Sequence, residues 1–211
     1  MEDNILYIHG MGGGGDSRIP SILRDSLKDS YNVVVRTYDF DPKIASAQID
    51  AWVNELNPRL IIGESLGSLH ALRIKGLPHL LVSPSLNAPV LLGRLSWLAF
   101  LPGMICLLDK IYRPKKGDRQ KLHFVYPTLK NYTEHRKLAL LNSPSMGSKD
   151  YFHAFFGTRD HYRRSGIVSM RTWKKYFGSD SYTVYDGTHF MEEQYIHEML
   201  IPEIKRVLGT V

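Results

Sequence analysis

Gly63-Glu64-Ser65-Leu66-Gly67 reads G-x-S-x-G, and it stands where an apolar strand, Leu60 to Gly63, gives way to a helix beginning at Leu66. A turn of this kind is strained and tight, so the positions beside the serine favour residues without a bulky side chain. The new helix aims its first amides at any negative charge that develops beside Ser65. That is the setting of a serine nucleophile, whose hydroxyl needs a base and whose base needs an orienting acid. Asp186-Gly187-Thr188-His189-Phe190 follows a strand at Tyr182 to Tyr185, and Gly157-Thr158-Arg159-Asp160-His161 follows one at Tyr151 to Phe156. Ser65, Asp160 and His189 then lie at the carboxyl ends of three strands, in the chain order that a nucleophile elbow uses, and would converge on one edge of a parallel sheet. Asp186 is the rival acid: it is nearer His189 in sequence, but so short a loop makes an orienting hydrogen bond harder. Among the other histidines, His70 and His79 fall in or beside core elements. His9 is placed to orient its loop, and His161 reads as a surface residue or a substrate contact.

Residues 5 to 17, ILYIHGMGGGGDS, admit two chemistries. Gly10, Gly12 and Gly15 spell the G-x-G-x-x-G of a dinucleotide-binding turn, with Asp39 ending the next apolar run, where a ribose-binding carboxylate would stand. The same residues read His-Gly followed by glycines, a loop that brings backbone N–H groups to an oxyanion. The first reading, a nucleotide-binding Rossmann-type oxidoreductase, explains the Gly10–Gly15 loop and Asp39 but leaves GESLG, Asp160 and His189 as coincidences; Asp39 also fits a strand-end or helix-capping residue. Metal chemistry has little support, because there is no H-E-x-x-H and no Cys–His framework.

The elements that must position these residues follow from hydrophobic period. Asn4 to His9 and Asn32 to Tyr38 read as strands, and between them Ile19, Ile22, Leu23 and Leu27 recur at helical spacing after Asp16 and Ser17, both good N-cap types. Ile44, Gln48, Ile49, Trp52, Val53 and Leu56 mark a helix that Asn57-Pro58 ends. A helix from Leu66 to Lys75 and a strand from His79 to Ser83 come next. The rhythm breaks over 86 to 150, a cap or insert, before the strand at Tyr151, a helix from Ser165 to Phe177, the strand at Tyr182 and a final helix from Met191 to Leu208. Strands alternating with helices predict a mainly parallel sheet of about six strands with helices on both faces, a three-layer α/β sandwich.

The chain has 211 residues, 43% of them hydrophobic, which suits a single domain with a sizeable core. The net charge of +6 admits an anionic partner, but Arg113, Lys115, Lys116, Arg119 and Lys121, like Arg163, Arg164, Arg171, Lys174 and Lys175, read as solvated faces, so no nucleic acid is expected. The beginning of the sequence lacks the pattern of a secretory signal and Cys106 is the only cysteine, so a cytoplasmic location is expected. Within the insert, LLGRLSWLAFLPGMICLL is interrupted by Arg94 and Pro102-Gly103 and is too broken for a spanning helix of about 20 residues. As a cap over the site, its Leu, Trp97, Phe100 and Met104 side chains would favour an apolar acyl group.

Through HGMGGGG, GESLG, FGTRD and DGTHF the sequence resembles the α/β-hydrolase superfamily, and within it the small bacterial serine esterases that lack the first two strands of the full fold. The resemblance covers nearly the whole chain outside 86 to 150. It implies a serine hydrolase acting on a small-molecule ester or thioester without metal or organic cofactor. It also implies an oxyanion hole formed by the backbone N–H of Met11, or of Gly12, together with that of Leu66. Glu64 departs from the pattern by placing an acid beside the serine. A hydrolase fold that binds without turnover is the remaining alternative.

Overall fold

A computed structural model describes residues 3–112 and 117–209. Arg113, Lys115 and Lys116 of the first basic cluster therefore lie outside the described residues. Six strands form one sheet in the order β2-β1-β3-β4-β5-β6, every neighbouring pair parallel. They are β1 (Asp3–Ile8), β2 (Tyr31–Val35), β3 (Leu60–Glu64), β4 (His79–Val82), β5 (Phe152–Gly157) and β6 (Tyr182–Tyr185). Strand order reverses between β1 and β3, where Ile8 lies opposite Gly63. In an open parallel sheet, that reversal opens a crevice beyond the strands' carboxyl ends.

Alternate strand residues feed two separate cores, because successive Cβ atoms point to opposite faces. Leu6, Ile8, Ile61, Leu81, Ala154 and Phe156 pack beneath α2 (Pro42–Leu56), α3 (Gly67–Ala71), α6 (Tyr126–Leu140) and α7 (Met170–Phe177). Ile5, Tyr7, Ile62, Leu80, Val82 and Phe155 pack beneath α1 (Arg18–Leu27) and α9 (Ile201–Leu208). Full burial of each leucine, isoleucine, valine or phenylalanine among them stabilises the fold by about 1.5 to 3 kcal/mol. The apolar stripe read for α1 is the buried one, Ile19, Leu23 and Leu27. In α2, Asp41 caps the first turn by accepting from the Lys43 amide at 2.9 Å, and Asn57 ends the helix with φ +44°.

Three helices differ from their sequence expectations, each for a local reason. The helix after Ser65 stops at Ala71 rather than Lys75, with the Arg73 and Ile74 amides in tighter three-residue turns ahead of Gly76 at φ +79°. The expected helix from Ser165 starts at Met170, because Gly166 takes φ +75° and Ser169 supplies the cap, accepting from the Thr172 amide. The last helix begins at Glu193 as α8 (Glu193–Tyr195) and passes through a π-helical turn, Ile196–Leu200, before α9. Pro202 lies just beyond, has no N–H and would clash with a carbonyl four residues back in regular α geometry; the wider turn relieves both.

The stretch read as a cap or insert, 86 to 150, holds α4 (Ala88–Leu95), a 3-10 turn (Ser96–Phe100), α5 (Met104–Ile111) and α6. α6 belongs to the core layer: Tyr132 donates to the Phe40 carbonyl at 2.9 Å, and Thr128 and Asn131 bind the Asp41 carboxylate. α4 and α5 stand above it, and α5 contains no buried residue. No helix among the described residues is long and apolar enough to cross a membrane.

Candidate active site

β3 ends at Glu64, and the chain turns at Ser65 with φ +50° before entering α3. A non-glycine residue held there costs about 1 to 2 kcal/mol, and the neighbouring backbone holds it in place. The Ser65 amide donates to the Val82 carbonyl at 2.9 Å, and the Ser65 carbonyl accepts from the Ser85 amide at 3.1 Å. Gly67 permits the turn to close: a Cβ there would lie 2.2 Å from the His9 carbonyl oxygen. The sharp turn lifts the Ser65 hydroxyl clear of the strand.

His189 Nε2 lies 2.9 Å from Ser65 Oγ, and His189 Nδ1 lies 2.8 Å from Asp160 Oδ2. His189 and Asp160 are both buried. Asp160 is held in turn by the Tyr162 amide, which donates to its other oxygen at 2.8 Å. The histidine loop is fixed from two sides: Glu192 accepts from the Thr188 amide at 3.0 Å, and Arg18 donates to the Phe190 and Met191 carbonyls. Tyr162 stands edge-on to the His189 ring at 4.6 Å between centroids. Asp186, the rival acid, is turned away and binds Thr158 Oγ1 at 2.8 Å and Arg159 Nε at 3.2 Å. His161 is exposed, its ring against Tyr162.

The glycine loop crosses the same edge, and the chain itself fills the space a pyrophosphate would need. A Cβ on Gly14 would fall 1.6 Å from the Asp118 carbonyl oxygen. The Gly12 amide donates to Gln120 Oε1 at 3.1 Å, the Gly13 amide to the Gly10 carbonyl at 3.0 Å, the Gly14 amide to Ser17 Oγ at 3.1 Å, and the Gly15 amide to Asp118 Oδ2 at 3.3 Å. The amides of Met11 and Leu66 have no acceptor among the described residues. Of the two loop amides weighed from the sequence, Met11 is thus free and Gly12 is engaged. The Asp39 carboxylate accepts from the Asp41 amide at 2.7 Å, a local turn beside the α2 cap.

His9 is buried in the wall, stacked on Tyr38 at 4.4 Å, with Nδ1 placed to donate to the Gly10 carbonyl at 2.8 Å. Burial lowers its pKa to about 4, so the ring is neutral at physiological pH. Glu64 is also buried; Tyr7 donates to its Oε2 at 2.7 Å, and burial pushes its carboxyl pKa up. A cavity of about 840 Å³ opens at Ser65 and His189. One wall is polar, with Ser17, Arg18, Glu64 and Arg119; the other is apolar, with Leu91, Leu92, Leu95 and Leu98 from α4 and the 3-10 turn, Leu108 and Tyr112 at α5, and Leu122, Phe124 and Leu129 beneath them. A smaller, shallower depression at Thr158–Arg164 does not include Ser65 or His189.

No family model matches the chain, and no curated protein does. Solved structures do. Alpha/beta hydrolase domain-containing protein 10 from mouse aligns with a TM-score of 0.63 at 17% identity, over 98% of this chain and 89% of that one. Est1E from Butyrivibrio proteoclasticus, solved with ferulic acid bound, aligns at 0.67 and 15% identity over 98% and 90%. A thermophilic esterase from Thermogutta terrifontis aligns at 0.61 and 12% identity over 97% and 90%. The chain has the α/β-hydrolase fold.

On this hydrolase sheet, three residues beside the site went unread in the sequence. Ser85, in the loop after β4, places its Oγ 3.1 Å from Ser65 Oγ. Gln120 is buried and grips the glycine loop twice, its side-chain oxygen on the Gly12 amide and its own amide on the Gly13 carbonyl at 2.7 Å. Asp118 braces the loop's far end while accepting from Thr37 Oγ1 at 2.6 Å. Each acts over a long sequence separation, with no periodic or motif signal; only the Ser83-Pro84-Ser85 turn, directly after a buried strand, offered a clue for one of them.

Proposed function

We propose that the protein is a serine hydrolase that cleaves a carboxylic ester or thioester through an acyl-enzyme on Ser65. The observation that carries this reading is the unbroken hydrogen-bonded chain from Asp160 through His189 to the hydroxyl of a serine held at positive φ. His189 Nε2 takes the Ser65 proton as Oγ attacks the carbonyl carbon, and Asp160 fixes the ring's tautomer and stabilises the imidazolium. The Met11 and Leu66 amides receive the oxyanion; loss of one such donor typically costs about 100- to 1,000-fold in turnover. His189 then protonates the leaving alcohol or thiol. A water activated by the same ring adds hydroxide to the acyl carbon, releases the acid and restores Ser65. The α4–α5 segment is the cap, and its leucines receive the apolar acyl chain. No cofactor enters the cycle, and the cytoplasm is the location we propose. The solved esterases of the same fold support hydrolysis as the reaction class.

Ser65→Ala is the direct test. It should abolish both p-nitrophenyl ester cleavage and labelling by a fluorophosphonate while the melting temperature stays close to that of the parent; undiminished labelling would rule Ser65 out as nucleophile. A nicotinamide cofactor titration should show no micromolar binding, since the loop that would cradle it is occupied by residues 118 to 120.

A further inference from the structure

Large apolar side chains crowd the outer surface of one segment. Trp97 is 57% exposed, Phe100 70%, Leu107 49% and Ile111 61%, all within α4, the 3-10 turn and α5, which pack on one another. A protein surface rarely gathers so many large apolar side chains in one segment without a partner. Within positions 88 to 112 the exposed charge is of one sign. Arg94 and Lys110 are the exposed charged residues of positions 88 to 112, and the segment's single acid, Asp109, is engaged by the His123 ring at 2.8 Å and the Phe124 amide at 3.2 Å. The same elements also line the cavity, but through other side chains: Leu91, Leu95, Leu98 and Leu108 reach into it, whereas Trp97, Phe100 and Met104, expected from the sequence to face the acyl group, are not among its lining residues. One segment therefore carries both the exposed apolar side chains and the apolar wall of the cavity.

We propose that this face docks on an anionic lipid surface and that acyl esters of that surface are the substrates drawn into the cavity. An aromatic and leucine face flanked by cations suits shallow insertion at the headgroup boundary, where tryptophan rings favour the interface and basic side chains meet anionic headgroups. A second copy of the chain fits less well, because apposing two such faces sets Arg94 and Lys110 against their counterparts with no free carboxylate in the segment to pair them. The docking stands on the surface alone, whereas its substrate half rests on the hydrolase reading above. In that half, the ester C–O bond breaks, and water supplies hydroxide to the acyl group and a proton to the alcohol.

The experiment is cosedimentation of the full-length Ser65→Ala protein, which leaves the lipid intact, with vesicles of phosphatidylcholine alone or containing phosphatidylglycerol. Binding is expected with phosphatidylglycerol and not without it, weakened by salt, and accompanied by a blue shift of the tryptophan emission. The pair Trp97→Glu and Phe100→Glu should lower binding at least roughly tenfold, and Arg94→Gln or Lys110→Gln about fivefold each. With Ser65 intact, the same substitutions should leave p-nitrophenyl acetate turnover and the melting temperature within experimental error, and should slow only esters carried in the anionic vesicles. Failure of the parent to bind anionic vesicles would overturn the proposal. So would a concentration-dependent dimer in sedimentation velocity that Trp97→Glu disperses, because a second copy would then cover the face. Vesicle binding by a parent that no fluorophosphonate labels would leave the docking standing and overturn the catalytic reading.

Discussion

On the strand-end side of the cavity the groups that define the site are held by directional bonds, with the Met11 and Leu66 amides left open: Ser65 holds His189 and Ser85, Asp160 holds His189 and the Tyr162 amide, and the glycine loop is pinned by Gln120 and Asp118. On the α4–α5 side, Leu91, Leu95, Leu98 and Leu108 face the same space with no polar partner to fix their position. Hydrogen bonds define positions to within a few tenths of an ångström, as attack on a carbonyl requires, whereas dispersion contacts accept many shapes of similar volume. On the proposed mechanism the division of labour is physical: one wall would fix the reaction and the other would set what enters. Substitutions on the two walls should fail in different ways.

The largest effect should come from Asp160→Asn, which keeps the shape of the acid but offers His189 the wrong tautomer. A loss of about 10⁴-fold in kcat is expected, with little change in KM. Asp186→Asn, measured beside it with p-nitrophenyl butyrate, should stay near the parent because that carboxylate pairs with Arg159 outside the chain of bonds. Equal losses in the two variants would erase the distinction between them.

Acid should act on the strand-end side and the core beneath it. Burial lowers the pKa of His9 and His79 to about 4 and that of His135 to about 3, and holds His70 well below its ordinary range. The unfolded chain, with histidines near 6.5, takes up protons first. Stability is therefore fully present above about pH 6.5 and is lost as pH falls toward about 4, with His9 and His79 each contributing on the order of 3 kcal/mol. Glu64 opposes this, since a carboxyl pushed up in the fold gains protons before its unfolded counterpart. Four rings outweigh one carboxyl, so urea midpoints should drop steeply across that window. Positions 88 to 112 hold no histidine, so Trp97→Glu should leave the slope unchanged. A flat pH profile would contradict the buried, neutral state of these rings.

Gln120→Ala removes the acceptor for the Gly12 amide and should let the Met11 amide drift. About 10- to 100-fold in kcat is expected, with KM changing less, because the loss falls on the transition state. Leu95→Ala on the other wall should do the reverse. KM for p-nitrophenyl decanoate should rise by roughly tenfold while acetate turnover is unaltered, since only a long chain reaches that contact. A matching fall in acetate turnover would mean that the two walls are mechanically coupled.

Legibility in the sequence follows the same line. The strands, α1 and α2 show in the apolar period of residues such as Ile19, Leu23 and Leu27, and Ser65, Asp160 and His189 show because each directly follows a strand in a short glycine-bearing turn. Local rules suffice there. Gln120 and Asp118 act across more than 100 residues on a loop whose own glycines equally spell a nucleotide turn, so their role emerges only when the sheet brings 9–15 and 118–120 together. The π-helical turn before Pro202 was hidden for a related reason: an apolar period fixes which face is buried, not how the backbone accommodates a missing donor. α6 escaped because its buried Leu129, Tyr132, His135 and Ala139 mix polar and apolar types on one stripe.

The central claim is that Ser65 is a nucleophile activated by His189 and Asp160. Mass spectrometry of the intact and digested protein after fluorophosphonate treatment tests it most directly. One adduct per chain on the peptide carrying Ser65 is expected, forming far more slowly in Asp160→Asn and not at all in Ser65→Ala. A folded parent that stays unmodified, or an adduct that persists at another residue in Ser65→Ala, would contradict it.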